Sequence, residues 1–409
     1  MLHQISAHCL KCKVPQCRKN CPISTPIPDV ITAFEEGRER EAAEMLFANN
    51  PLSAVCSIVC PHERNCSGHC VRGKKSDPVE FFKIEHYLSG QFLDEYEPPV
   101  IERKDISVAV IGSGPAGITM SIFLSLKGFK VTLMDARDRI GGVLRYGIPD
   151  FRLSKTLVAK YETILRKLGV RFKPNTFIGS SITLDDMFID GYKAVFIAVG
   201  TAKPNKLGLL GETLGNVYYA IDYLKSPEAY HLGRNVVVVG AGNVALDAAR
   251  IATRNIEPGG TVTVINSLLE EEMTGNKHEI AEAVDEGVKF IHLQQTVKLE
   301  EDGVKCVAVT AEKTDTRTVY EEDFSRVRII PADAIIVAIG QGPQGAVITE
   351  SSVSKTQRGL VEADANGHTS SRGVFAAGDI VTGPKTVVEA VAFAKKVADE
   401  IEKYCLENG

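Results

Sequence analysis

Ile106-Ser107-Val108-Ala109-Val110-Ile111-Gly112-Ser113-Gly114-Pro115-Ala116-Gly117 is an apolar run that stops at a glycine turn of spacing G-x-G-x-x-G. The residues after it, through Lys127, read as a helix, and Phe129 to Met134 form a second apolar run. Strand, glycine turn, helix and strand in that order open a doubly wound α/β domain. Its glycines permit the tight turn, the close approach of a pyrophosphate and helix–strand packing. Asp135 ends the second strand, eighteen residues after Gly117, where a carboxylate binds ribose hydroxyls. Gly112, Ser113, Gly114, Pro115, Ala116, Gly117 and Asp135 are therefore expected to hold a dinucleotide. A lone glycine turn would leave open a tight turn with no ligand, but strand, helix and acidic residue together argue against it.

The same texture recurs at Asn235 to Val239, Gly240-Ala241-Gly242-Asn243-Val244-Ala245, a helix to about Arg254, and Thr261 to Ile265. This G-x-G-x-x-A turn is expected to bind the pyrophosphate of a nicotinamide cofactor, with Gly240, Gly242, Asn243, Val244 and Ala245 at the helix start. The next strand ends in Asn266 and Ser267, with neither an acidic residue for a free ribose nor an arginine for a 2′-phosphate. Glu270-Glu271-Glu272 beyond it would repel a phosphate unless Lys277 or His278 folds back, so NAD is expected over NADP. The bland reading of the acidic run is a solvated helix face.

Ala194 to Val199, closed by Gly200, is echoed by Ala334 to Ile339, closed by Gly340, which joins the nicotinamide candidates. The echo suggests a second domain, 233–331, inserted in a first that comprises 101–232 and 332–409. Near the C-terminus, Val374 to Asp379 reads as a strand and turn before a helix from about Lys385 to Tyr404. A helix N-terminus after Gly378 and Asp379 would offer backbone N–H donors to a flavin or its phosphate arm, unless it is an ordinary loop.

Upstream, residues 1–100 have another character. Eight of the ten cysteines fall in two runs there, C-x2-C-x4-C-x3-C-P at Cys9, Cys12, Cys17 and Cys21, and C-x3-C-x5-C-x3-C at Cys56, Cys60, Cys66 and Cys70. Two four-thiolate sets are what two 4Fe-4S cubes require, and in ferredoxin-type runs the cysteine before proline serves the other cube, so a crossed partition is expected. Zinc sites favour isolated C-x2-C knuckles, which this pattern lacks, and free thiols would not cluster so. His8, His62 and His69 lie nearby as solvated or supporting residues, and Cys306 and Cys405 stand alone. Between and after the runs, Ile27 to Arg38, Glu39 to Asn49 and roughly Pro78 to Leu88 have helix spacing, and Asp94 to Pro99 reads as a linker. The whole is expected to be an all-α iron-sulfur domain followed by two Rossmann-like domains.

With cysteine runs, first turn and second turn in this order, residues 1 to 405 resemble the small (beta) subunit of NAD(P)H-dependent glutamate synthase. They resemble equally the N-terminal half of dihydropyrimidine dehydrogenase and, most closely in length, that enzyme's bacterial NAD-dependent flavin subunit. The motifs are the first cysteine run, Asn50-Pro51-Leu52 leading to Val59-Cys60-Pro61, Gly141-Gly142-Val143-Leu144-Arg145-Tyr146-Gly147-Ile148-Pro149, and Ala376-Ala377-Gly378-Asp379-Ile380. The resemblance implies FAD in the first dinucleotide site, adding Gly142, Arg145, Gly378, Asp379 and the Lys385-Thr386-Val387 helix start. It implies one cluster on Cys9, Cys12, Cys17 and Cys70, and another on Cys21, Cys60, Cys66 and a fourth ligand. Counting cysteines makes that ligand Cys56; dihydropyrimidine dehydrogenase uses a non-cysteine side chain beyond the second run, where Glu85 stands here. NADP-using members carry an arginine pair where this chain has Ser267-Leu268.

The expected function is an electron-transfer oxidoreductase subunit, passing electrons between NAD(P)H and two clusters through FAD to a partner catalytic or electron-accepting subunit. A ferredoxin-coupled NAD(P) oxidoreductase component is the neighbouring reading. A flavin disulfide reductase with a zinc module needs a C-x-x-C near the flavin, and the chain has none outside Cys9-Cys12. A sensor would leave both dinucleotide sites idle. The net charge of −5 and lack of a basic block argue against a nucleic-acid or anionic-membrane partner. With no signal-peptide pattern or long apolar run, a cytoplasmic location is expected.

Overall fold

The computed structural model describes residues 1–179, 182–314, 316–343, 345–349 and 351–408. The chain divides into two compact units: residues 1–145, 150–201 and 343–409, and residues 146–149 and 202–342. It is an α/β protein with an all-α N-terminal domain and two parallel, Rossmann-like sheets, the second inserted between the segments that build the first.

In the N-terminal domain, apolar residues at helical spacing make the core. Helix Ile27–Glu35 buries Val30, Ile31, Ala33 and Phe34, and helix Glu39–Asn49 buries Ala42, Ala43, Leu46 and Phe47. Helix Phe81–Asp94 buries Phe81, Ile84, Leu88, Phe92 and Leu93, which carry the stripe past the expected end at Leu88. The segment after it is also less linker-like than its prolines imply. Tyr96 is buried, with its ring 4.9 Å from Phe47 and 5.7 Å from Phe92.

The rest of this unit is a five-stranded parallel sheet in the order Val374–Ala376, Tyr192–Ile197, Ser107–Ile111, Lys130–Met134, Arg171–Lys173. The helical domain is fastened to it. Lys395 Nζ donates to the Asn49 carbonyl at 3.0 Å and to its Oδ1 at 2.8 Å, and Lys160 pairs with Asp94 at 2.6 Å. The C-terminal helix, Val387–Glu407, starts at Thr386, whose hydroxyl and the Glu389 carboxylate close a reciprocal cap.

The second unit is wider than 233–331 because Val217–Tyr219 joins its sheet, in the order Val217–Tyr219, Ala334–Val337, Asn235–Val239, Thr261–Ile265, Lys289–Ile291. An antiparallel meander, Gln294–Glu300, Gly303–Lys313 and Thr318–Pro331, completes it. Helix Asn243–Asn255 buries Ala245, Leu246, Ala248, Ala249 and Ala252, and also Arg250. The Arg250 side chain is 5% exposed and meets Glu279 at 2.6 Å and Glu282 and Glu286 at 2.7 Å. No helix among the described residues is long and apolar enough to cross a membrane.

Arg250→Ala removes the buried guanidinium that these carboxylates share, so urea unfolding followed by circular dichroism is expected to show a loss of about 3–5 kcal/mol. Although burial opposes it, hydrogen bonds from Arg254 and Arg250 hold the Glu286 carboxyl down to about 2. A depressed carboxyl stabilises fully above its ordinary value and loses that contribution as pH falls through the folded one. Glu286→Gln should therefore flatten the loss of stability between pH ~4.5 and ~2.

Candidate functional site

At the first turn, the chain leaves strand Ser107–Ile111 and enters helix Pro115–Leu126 with no room for side chains. A Cβ on Gly112, at φ +99°, would sit 2.5 Å from the Ala198 carbonyl oxygen, so only glycine lets the two strand ends come together. Asp135 is held beside this turn: its carboxylate accepts from Ser113 N at 2.6 Å, Ser113 Oγ at 2.5 Å and Arg137 N at 2.8 Å. Gly142 packs on the turn from the other side, where a Cβ at φ +52° would come 2.7 Å from Gly114 Cα. Arg145 is turned away toward Ile140 and Glu162, its Nε donating to the Ile140 carbonyl at 2.8 Å. Gly378 brings the last strand's turn to the same place, 3.1 Å from Ala116 Cβ if it carried a Cβ.

Asp379 follows, and burial raises its carboxyl to about 6 although Lys385 N donates to it at 3.2 Å. A short helix, Asp379–Thr382, follows at once, and the long helix expected from about Lys385 begins at Val387, capped by Thr386. Glycine backbone, a fixed carboxylate and the N-terminus of a twelve-residue helix on one edge of the sheet fit a dinucleotide pyrophosphate and ribose.

The second turn repeats the plan. A Cβ on Gly240 would lie 2.4 Å from the Ala338 carbonyl oxygen, as Gly112 does with Ala198, and helix Asn243–Asn255 starts at Gly242. Val244 and Ala245 are in its first turn, and Ala245 is fully buried under it. Asn266 at the tip of the next strand is buried, its Oδ1 accepting from Leu268 N at 3.0 Å and its amide 3.3 Å from His292 Nδ1. Ser267 follows it. Gly340 is across the strand ends, its carbonyl accepting from Asn205 N at 3.1 Å.

The acidic run forms one 3-10 turn, Glu270–Glu272, with Glu270 and Glu271 exposed, and two of its carboxylates are engaged: Glu271 pairs with Lys313 at 2.6 Å, and Glu272 accepts from Thr318 and Tyr320. His278 is paired with Glu282 at 3.0 Å. Sequence reading missed the segment Thr274 to Asn276, which lies over the turn: Gly275 N donates to the Ala241 carbonyl at 3.1 Å and Asn276 N to Asn243 Oδ1 at 2.8 Å. Its one signal is the T-G-N composition of a loop.

The eight N-terminal cysteines divide into two neighbourhoods that cut across the sequence runs. Cys9, Cys12, Cys17 and Cys70 line one pocket, with Leu10, Ile31 and Val71 among its apolar walls and Cys66 also reaching it. Burial pushes the Cys17 thiol up to about 11, and Cys70, Cys9 and Cys12 are its charged neighbours. The other set is deeper. Burial raises Cys60 to about 12 and Cys66 and Cys56 above the usual range, with Cys21 a neighbour of all three.

Glu85, on helix Phe81–Asp94, is in this set: burial alone raises it to about 8, and Cys56, Cys60 and Cys66 all feel its charge. Cys56 has Cys60, Glu85 and Cys21 as its charged neighbours and takes a hydrogen bond from Asn50. Two further sulfur contacts escaped the sequence: Asn65 Nδ2 donates to Cys60 Sγ at 3.2 Å, and Thr25 Oγ1 is 3.3 Å from Cys21 Sγ. His62 stacks on Phe82 at 4.5 Å, while His8 and His69 are exposed. Among the described residues no three His, Cys, Asp or Glu side chains are drawn tightly enough to hold a single metal ion. The donor set fits iron-sulfur cubes, since buried thiols that resist ionisation alone give up their protons to a cation. Cys306 and Cys405, by contrast, are buried core residues.

Comparison with known proteins agrees with this layout. The family model for pyridine nucleotide-disulphide oxidoreductases matches residues 106–394, and that for dihydropyrimidine dehydrogenase domain II, 4Fe-4S cluster, matches residues 2–96. The glutamate synthase (NADPH) small chain of Escherichia coli K12 is 33% identical over 96% of this chain and 89% of its own. Its counterpart in Azospirillum brasilense is 33% identical over 97% and 87%. Among solved structures, Mycobacterium tuberculosis FprA in complex with NADPH superposes with a TM-score of 0.64 at 17% identity, covering 75% of this chain and 85% of that one. That likeness is one of fold.

Gly142→Ala places a methyl group against Gly114, so the purified variant is expected to keep its helical content by circular dichroism yet lose most of its flavin absorbance. Full flavin occupancy would show that Gly142 does not border the cofactor.

Proposed function

We propose, from the premise that the chain belongs to the pyridine nucleotide-disulphide oxidoreductase family and groups with the glutamate synthase small chains, that it is an electron-transfer subunit. It exchanges electrons between a nicotinamide dinucleotide and a partner protein through FAD and two 4Fe-4S clusters. When bound, the dinucleotides supply hydride chemistry and the clusters one-electron relay; the polypeptide binds, orients and insulates them.

One observation carries this reading. The two cysteine sets share a compact unit with the first glycine turn, and helix Lys155–Lys167 runs between the Gly141-Gly142 loop and the deeper cysteine set. Its Val158 side chain lies against Gly141, and its Tyr161, fully buried, has Cys56 and Glu85 as charged neighbours. Gly112 to Gly117, Asp135, Gly142, Gly378 and Asp379 would hold FAD. Gly240 to Ala245, Asn266, Ser267 and Gly340, with Thr274 to Asn276 above them, would hold the nicotinamide cofactor. Neither site needs an acid–base residue, because positioning two cofactors is the protein's part in hydride transfer.

Cys9, Cys12, Cys17 and Cys70 would hold one cluster, and Cys21, Cys60 and Cys66 the other. For its fourth ligand we choose Glu85, which the resemblance implies and which neighbours Cys60 and Cys66, over Cys56, which neighbours Cys60 and Cys21. For the nicotinamide we infer NAD. The relatives' names say NADPH, but Asn266-Ser267-Leu268 offers no cation to a 2′-phosphate, and Glu271 already engages Lys313.

Anaerobically purified protein is expected to hold about eight iron and eight sulfide per chain. Its visible absorbance should bleach with NADH at least about tenfold faster than with NADPH, the scale of one lost charge contact. Zinc without acid-labile sulfide would sink the electron-transfer reading, and faster bleaching by NADPH would reverse the cofactor choice. Cys70→Ser and Glu85→Ala are each expected to halve the iron, removing different paramagnetic signals, while Cys56→Ala keeps both. If Cys56→Ala loses the cluster that Glu85→Ala retains, the ligand assignment is wrong.

A further inference from the structure

The structure assigns a docking face to the rim of the pocket lined by Cys9, Cys12, Cys17 and Cys70, and we infer that its occupant is an acidic, electron-accepting protein. The assignment rests on the electron-transfer reading above. Cys9, Cys12, Cys17 and Cys70 are all partly exposed, whereas the other set includes the buried Cys56 and Cys66, so the first set is the one nearer solvent. Apolar side chains surround it that a protein surface has no reason to group. Leu10 is 61% exposed and Val71 38%, and both line the pocket; Val14, 55% exposed, lies in the loop between Cys12 and Cys17. Singly these would be unremarkable, but together around a candidate redox site they mark an interaction surface.

Charge selects the partner. In a chain of net charge −5, residues 1–28 and 64–76 contain no Asp or Glu and carry eight Lys and Arg. Lys11 and Arg18 are answered by Glu35 and Asp29, at 2.6 and 3.9 Å. Lys13, Lys19, Lys74 and Lys75 are exposed and have no ion pair among the described residues. The two segments meet at the pocket, where Arg72 stands beside Cys9 and Leu10 and its Nη1 reaches the His8 carbonyl at 3.5 Å. An apolar centre flanked by basic segments, on an otherwise acidic chain, complements a protein face with an apolar centre and an acidic rim. The rim charges would speed encounter and fix orientation, and the apolar contacts would hold the complex. A polyanion such as a nucleic acid would gain from the lysines but not from the leucine and valines, and the remaining chain would repel it.

The test uses the cofactor-loaded protein, with rubredoxin as a small acidic one-electron acceptor and cytochrome c as a basic one. One NADH reduces two acceptor molecules by one electron each and releases one proton. Calorimetric titration should show rubredoxin binding that weakens with salt, and binding and reduction should both fall about tenfold in the triple variant Lys13→Glu, Lys74→Glu, Lys75→Glu. The same variant should gain with cytochrome c and keep its iron content and its NADH-driven reduction of a neutral quinone. If the triple variant loses iron, the double variant Lys74→Glu, Lys75→Glu takes its place with the same expectations. Unchanged rubredoxin binding at low salt would overturn the assignment, as would tighter binding of this face to phosphatidylserine vesicles than to rubredoxin. Failure of the unmodified protein to reduce the quinone would instead bring down the electron-transfer reading itself.

Discussion

Everything in the first unit is spaced by one packed helix, Lys155–Lys167. Its Val158 side chain fills the space that a Cβ on Gly141 would need, which pins the Gly141-Gly142 loop against the first glycine turn. One turn further, Tyr161 is fully buried between this helix and the N-terminal domain, and Lys160 and Lys167 bind Asp94 and Glu97 at 2.6 Å each. Ion pairs at a surface contribute little by themselves. The buried tyrosine and valine set the spacing, because a close-packed interior leaves them no second arrangement. The candidate flavin cradle and the deeper thiol set are thereby held at a fixed separation by one element, which is what electron exchange between two sites requires of a protein.

The thiol sets impose a second constraint. Cys56, Cys60, Cys66 and Glu85 are groups that ionise only at a cost when buried, and all are shifted toward their neutral forms. A fold that collects four such groups in an apolar interior gains nothing from them as ordinary core. Smaller apolar residues would pack as well without the desolvation cost. The arrangement makes sense with a polycationic centre that takes their charge, and Asn65 and Thr25 then appear as donors to ligand sulfur rather than as stray polar residues.

Much of this was legible in the sequence because it depends on local chemistry. The two glycine turns declare themselves, since the spacing that admits a pyrophosphate is written in consecutive residues, and Gly112 and Gly240 meet the same kind of carbonyl, Ala198 and Ala338, in the fold. The sorting of the cysteines was legible only through resemblance, because Cys70 joins Cys9 through tertiary packing that no run spacing encodes. What stayed hidden lies where distant segments meet. Thr274 to Asn276 covers a turn more than thirty residues upstream, Tyr96 leaves an apparent linker for the core, and Val217–Tyr219 joins a sheet whose other strands begin at Asn235. The partners of the acidic run were hidden for the same reason: strands forty residues later supply Lys313 to Glu271, and Thr318 and Tyr320 to Glu272.

The two sheets share the order of four strands and differ in the edge strand, Val374–Ala376 in one and Val217–Tyr219 in the other, so their differences at equivalent positions carry the division of labour. In the first, the tip after the second strand is Asp135, fixed by three donors, two of them from Ser113 within the glycine turn. Carboxylate and turn are one rigid feature, suited to a cofactor that stays bound. In the second, the tip is Asn266, held by Leu268 N and the imidazole of His292, and it makes no such link to Ala241 or Gly242. The turn is instead roofed by Thr274 to Asn276, a loop joined through three hydrogen bonds, from Gly275 N and Thr274 Oγ1 to the Ala241 carbonyl and from Asn276 N to Asn243 Oδ1. Few bonds on an irregular segment mean a low cost of local opening. A rigid, glycine-lined cradle beside a lightly fastened cover is the contrast expected between a resident flavin and a nicotinamide that must enter and leave at every turnover.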